Sequence, residues 1–288
     1  MAAETSFQLK KFFIEEVVIL NMSTIDAKTG SKSDDLEYKE LSTATQPIFI
    51  PLLIIWLVTV LFQLGSLAYG RSTDEQSFQS IVLPSILFIS LITIPLGGLG
   101  IWLGRKVGLG TPLLAALIRK QPGAIHKLIK DAGLAIMLGF MIGGMLVLIR
   151  MVSEPYLPSE LPAFGHRGVI GGLFVSAGAA VGEEVWFRLG LMTILVWFVA
   201  RLFGHQETRP IVAWPIIILA SVGFGLAHLP QLMSYGAGSP FAIWGTIIGN
   251  SMVGILCGWC YWRRSLIAAM IAHFSVDIVI HVFPAFVT

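Results

Sequence analysis

Seven stretches of this sequence are each long and apolar enough to cross a lipid bilayer: residues 48–69, 81–103, 132–149, 168–200, 211–229, 241–262 and 265–287. A spanning helix needs roughly 20 mostly apolar residues, because each residue rises about 1.5 Å through a hydrocarbon layer about 30 Å thick. A soluble globule would have too few polar side chains to cover this much apolar surface. Charged residues are 12% of the chain and hydrophobic ones 55%, against a usual charged share of roughly 25%. The expected fold class is therefore all-α, a polytopic transmembrane helical bundle. The fourth stretch is too long for one straight crossing. It is a tilted or broken helix, or two helices meeting near Arg188, so the count is seven or eight spans.

The chain then divides in three. Residues 1–46 hold eight of the 17 acidic residues before position 45, and Glu15 and Glu16 interrupt the apolar run at 12–20. That run makes a poor signal-peptide core, so a polar, disordered cytoplasmic arm is expected. Residues 47–165 form a transmembrane scaffold. Within it the segment 111–133 alternates Leu113, Leu114, Leu117 and Ile118 with Arg119, Lys120, Lys127 and Lys130, a pattern that suits a helix or helix pair lying in the interface. Residues 166–288 form the core that carries the chemistry.

Basic residues orient the bundle. With the N-terminus cytoplasmic and seven spans, 15 of the 19 lysines and arginines fall on the inside, while Arg71, Arg150 and Arg167 fall outside. That asymmetry satisfies the positive-inside rule. The expected location is an integral, multi-pass membrane, the plasma membrane if the source is prokaryotic. A net charge of only +2 gives no reason to expect a nucleic-acid partner. Cys257 and Cys260 read Cys-Gly-Trp-Cys, but inside an apolar span rather than at the opening of a helix in a soluble βαβ unit, so a redox pair is not expected. Glycines at four-residue spacing (139 and 143, 178 and 182, 245 and 249, 254 and 258) are expected to let helices pack closely.

Ionisable groups inside spans are costly and mark functional candidates. They are Glu183, Glu184, Arg188, His228, His273, Asp277 and His281, all in the last 40% of the chain. Glu184 and Arg188 are four apart on one helix face and can pair, which is also what a purely structural ion pair would do. Glu183 lies about 100° around the helix from Glu184 and can point elsewhere. His273 and Asp277 are again four apart, with His281 continuing the row in a structural capacity. A lone carboxylate in a span costs several kcal/mol, so Glu183 is the hardest of these to explain structurally. A glutamate and two histidines from three spans can meet only in the bundle interior. There the glutamate can take a proton from water, histidine can hold that water or bind a metal, and a second polar pair can stabilise an oxyanion.

In this order, Glu183-Glu184-Val185-Trp186-Phe187-Arg188 as EExxxR, Phe224 to His228 as FxxxH, and His273 to Asp277 as HxxxN/D resemble the CPBP family of intramembrane proteases. That family includes type II CAAX prenyl endopeptidases and Abi proteins. The resemblance covers roughly residues 168–280. It implies an endopeptidase that hydrolyses a peptide bond of a membrane-anchored protein or peptide, CAAX-type prenylated in the prenyl-endopeptidase branch, with the lipid bilayer as the other partner. It also implies a catalytic set of Glu183, Glu184, Arg188, His228, His273 and Asp277. Glu183 would activate water, His228 would hold it, Glu184 and Arg188 would support, and His273 with Asp277 would polarise the carbonyl. The prenyl-protease branch has asparagine where this chain has Asp277, and an ionised aspartate cannot donate to an oxyanion.

The family has been described both as metalloproteases and as metal-independent glutamate proteases. No His pair at i, i+4 spacing is present, so the reading adopted is that no cofactor is required. Zinc is the alternative, held by His228, His273, Glu183 and Asp277. Two competing functions remain: a non-catalytic membrane immunity or scaffold protein, and a proton-coupled transporter using the same groups as a relay. The sequence shows none of the inverted repeats that the transporter reading would favour.

Overall fold

The computed structural model describes residues 48–70, 78–204 and 208–287. The polar arm expected at 1–46 lies outside the described residues. Among those residues there is no strand, and seven helices are long and apolar enough to cross a membrane. This is the expected all-α bundle. In lipid the backbone has no water to bond, so a helix, which satisfies its own N–H and C=O groups, is the structure an apolar stretch can adopt.

In chain order the elements are α1 (Phe49–Gly70), α2 (Phe78–Gly104), the short α3 (Pro112–Ile118), α4 (Ala124–Ser153), α5 (Gly168–Glu183), a π-helical segment π1 (Glu184–Met192), α6 (Thr193–Leu202), α7 (Pro210–Ala227), the short α8 (Leu229–Ser234), α9 (Pro240–Arg263), α10 (Leu266–Asp277) and a second π segment, π2 (Ile278–Val282). Pro84 and Pro95 lie inside α2 and Pro215 inside α7 without ending either helix. The fourth span is one continuous helical run, Gly168–Leu202, of 35 residues. Its middle is the wide π turn, where the Thr193 N–H reaches back five residues to the Arg188 carbonyl. Such π turns are rare and recur at functional sites. This one carries Glu184 and Arg188.

Residues 124–133, read from the sequence as part of an interfacial segment, form the first turns of the 30-residue α4. Two of their charges, Lys127 and Asp131, are buried and paired, while Lys130 is exposed. Asp131 lies 3.0 Å from the Lys127 amine and 3.7 Å from the Arg264 guanidinium at the turn into α10. Pairing offsets part of the cost of taking these two charges out of water.

Close helix contacts follow three of the four glycine pairs. A Cβ at Gly139 would sit 2.5 Å from the Ala272 carbonyl oxygen, and one at Gly143 2.8 Å from Val279 Cβ, which fixes α4 against α10 and π2. A Cβ at Gly254 would meet Ser221 Cβ at 2.7 Å, where α9 lies along α7. Gly178 and Gly182 face Gln63 of α1, whose amide donates to the Gly178 carbonyl at 2.9 Å. Gly245 and Gly249 differ from the expectation. Nothing lies within 4 Å of a Cβ at Gly245, one at Gly249 would make only an ordinary 3.6 Å contact with Leu146 of α4, and both residues line a cavity.

Gly254→Val is expected to destabilise the protein by about 1–3 kcal/mol, the usual cost of overpacking a filled contact. Gly245→Val should cost far less, since its space is open. Thermal unfolding of the two variants in detergent checks this, and equal losses would refute the distinction.

Candidate active site

The π turn of the fourth span, the end of α7 and the middle of α10 meet where the sequence places its ionisable residues. Glu184 is fully buried and lies between two partners. Its Oε2 is 3.2 Å from Arg188 Nε, and its Oε1 accepts from His273 Nδ1 at 2.8 Å. Arg188 also donates through Nη2 to the Gly254 carbonyl at 3.2 Å. That carbonyl belongs to the glycine at which α9 closes on α7. The guanidinium carbon lies 4.6 Å from the centre of the Phe224 ring, a cation–π distance. The same ring meets His228 and His273 edge-on, at 4.7 and 5.8 Å between centroids. A single phenylalanine therefore braces three polar side chains.

Glu183 points the other way, into the cavity. Its Oε2 lies 3.9 Å from Nε2 of His228 and 3.9 Å from Nε2 of His273, and it has no hydrogen-bond partner. Those distances exceed a direct hydrogen bond. The tautomers follow from what the other ring nitrogens touch. His228 Nδ1 lies 2.8 Å from the Phe224 carbonyl oxygen, which can only accept. His273 Nδ1 faces a carboxylate paired to arginine, which also accepts. Each Nδ1 therefore carries a proton. In the neutral rings both Nε2 atoms are left as acceptors facing Glu183. Asp277 completes the group, with its Oδ1 3.8 Å from His273 Nε2.

The six expected site residues thus fall in two layers. Glu183, His228, His273 and Asp277 line the cavity, whereas Glu184 and Arg188 stand behind His273 and orient it. His281, expected to be structural, also lines the cavity. Three contributors were not foreseen: the Phe224 ring as brace, the Gly254 carbonyl, and Cys257, whose sulfur lies within 4.8 Å of a Glu184 carboxylate oxygen. Phe224 was part of a quoted motif, so its position was visible but not its contacts. The partners on α9 carried no signal beyond a glycine and a cysteine.

The cavity has a volume of about 1380 Å³, larger than the roughly 300–1,000 Å³ of sites for small ligands. Its walls combine apolar side chains, including Leu161, Phe164 and Trp244, with Thr246 and Asn250 of α9. At its rim, burial and the neighbouring Arg167 charge hold His166 below the ordinary imidazole value.

The chemistry of the donors fits a metal as well as a water. Two imidazole lone pairs and the Glu183 and Asp277 carboxylates are ligand types that zinc accepts. A second group, Glu184, Cys257 and His273, has ligand atoms within 4.8 Å of one another. There, however, the carboxylate is already shared by Arg188 and His273, and the ring nitrogen facing it is a donor. That group is a hydrogen-bonded support.

Residues 166–279 match the family model described as type II CAAX prenyl endopeptidase Rce1-like. No curated protein and no solved structure matches the chain. The matched segment contains all six residues of the two-layered site and the spans that hold them. Over residues 166–279, about 40% of its length, the chain is similar to the Rce1-like type II CAAX prenyl endopeptidases of the CPBP family.

Proposed function

We propose that this protein is an intramembrane endopeptidase in which Glu183 activates water for attack on a peptide bond of a membrane-associated substrate. The observation that carries the reading is the convergence of two imidazole Nε2 atoms, from α7 and α10, on one carboxylate oxygen that has no other partner. A water beside Glu183 Oε2 can donate to that oxygen and be held by His228 Nε2. Glu183 takes its proton as the water oxygen adds to the carbonyl carbon, and the same proton then passes to the leaving amine. The developing oxyanion needs donors on the opposite side. His273 donates its Nδ1–H to Glu184 in a hydrogen bond, so it can donate through Nε2 only as an imidazolium, whose charge Glu184 balances from behind, while Asp277 donates beside it as a neutral acid.

In this reading no metal is required. If zinc binds here, His228, His273, Glu183 and Asp277 would hold it, and it would supply Lewis-acid polarisation of the carbonyl. The transporter alternative gains nothing from the geometry, since the cavity ends at the charged cluster and no lining residue comes from the far end of the bundle.

The test is cleavage of prenylated and unprenylated membrane-tethered peptides by purified protein, with and without chelator, alongside Asp277→Asn. Asparagine preserves size and can itself donate to an oxyanion, so this variant is expected to stay within about tenfold of wild type. A loss of about 100-fold or more, the size of a missing oxyanion contact, together with stoichiometric zinc in the wild type, would overturn the metal-free reading.

A further inference from the structure

Among the described residues, the lining of the cavity reaches one end of the bundle only. Its lining comes from the last turns of α1 and α4, the connection 154–167, the length of α5 down to Glu183, α8, the first two thirds of α9, and α10 and π2 from His273 to His281. Those segments all reach the end where α1 and α4 finish and α5 and α9 begin. The turns at the other end, 105–111, 119–123, 201–209 and 263–265, contribute no lining residue among those described.

The two ends differ sharply in charge. Among the described residues the closed end carries ten lysines and arginines, in or beside 105–130, 201–209 and 263–264. The mouth end carries two, Arg150 and Arg167, and Arg150 is paired with Glu154 at 2.8 Å. Lysine and arginine accumulate in short cytoplasmic connections because translocating them is disfavoured. The end with ten is therefore the cytoplasmic one.

We propose that the active-site cavity opens on the extracytoplasmic face of the membrane. Its substrate class is then an apolar polypeptide segment presented from that side, such as the membrane-proximal part of an exported or anchored protein, and not a prenylated C-terminus in the cytosol. The apolar mouth, with Leu157, Leu161, Phe164, Phe241 and Trp244, suits such a segment, and the roughly 24 Å from Arg167 to Glu183 along α5, at 1.5 Å per residue, lets an extended chain of about seven residues reach the catalytic group. The substrate assignment rests on the endopeptidase reading above, whereas the orientation does not.

The experiment separates the two. Cysteine is placed singly at Ser159, exposed beside the mouth, and at His126, exposed at the closed end. The native Cys257 and Cys260 are buried and leave little background. Intact protoplasts expressing each full-length variant are treated with a membrane-impermeant maleimide, before and after permeabilisation. Ser159→Cys is expected to label in intact protoplasts and His126→Cys only after permeabilisation. The reverse pattern overturns the proposal. In a second arm, a quenched unprenylated apolar peptide is added outside intact protoplasts carrying wild type or Glu183→Gln. Glu183-dependent cleavage supports the substrate class. Cleavage that requires permeabilisation overturns it. If no Glu183-dependent cleavage occurs on either side, the endopeptidase reading fails, while the labelling still decides the orientation.

Discussion

Glu183→Gln is expected to abolish cleavage, with a loss of at least about 100-fold, the lower range for removing a general base, while the protein stays folded and inserted. Glutamine keeps the length and hydrogen-bonding shape of glutamate but cannot accept a proton from water. Stability should hold because Glu183 Oε2 makes no hydrogen bond and the residue is about one-quarter exposed, so no buried network is broken. If anything, removing an unpaired carboxylate from a span relieves a cost. Turnover and thermal unfolding of the purified variant, measured together, check both halves. Wild-type turnover would move the base elsewhere, with the adjacent Glu184 as the next carboxylate to test. That carboxylate, however, is held by Arg188 and by the His273 Nδ1 proton, which leaves it poorly placed to receive another.

Much of the site could be read from the sequence because helix geometry converts spacing into direction. Glu184 and Arg188, four apart, do share a face and pair, while Glu183, one residue earlier, points away from them into the cavity. The gathering of three spans was legible because ionisable groups are driven out of lipid and toward one another. Other features left no trace. The π turn arises where Glu184 and Arg188 meet partners on three neighbouring helices, and nothing in the local sequence marks its extra residue per turn. Asp131 sat among lysines that looked interfacial, and only the fold brings Arg264 to it. Gly245 and Gly249 match the spacing of Gly254 and Gly258, yet Gly245 faces open space whereas Gly254 closes on Ser221 of α7. Spacing gives a face but not what stands opposite it.

Arg188→Met is expected to be the most destabilising single change at the site, by about 3–5 kcal/mol, because it leaves a buried carboxylate without its counter-charge. Arg188 is 2% exposed and makes three contacts at once: the Glu184 ion pair, the hydrogen bond to the Gly254 carbonyl and the stack on Phe224. Arg188→Lys keeps the charge but loses the planar fork and most of the stack, so it should fall between wild type and Arg188→Met. The double variant Glu184→Gln with Arg188→Met distinguishes a structural pair from a functional one. Removing both charges should restore part of the lost stability, since no unpaired ion remains buried. Activity should stay lost. The Glu184 carboxylate fixes the His273 tautomer, and glutamine can turn either its oxygen or its amide toward the ring, so His273 Nε2 is no longer held toward Glu183. Unfolding temperature and turnover of the three variants supply the measurement. Full activity in the restabilised double variant would show that Glu184 and Arg188 serve the fold alone.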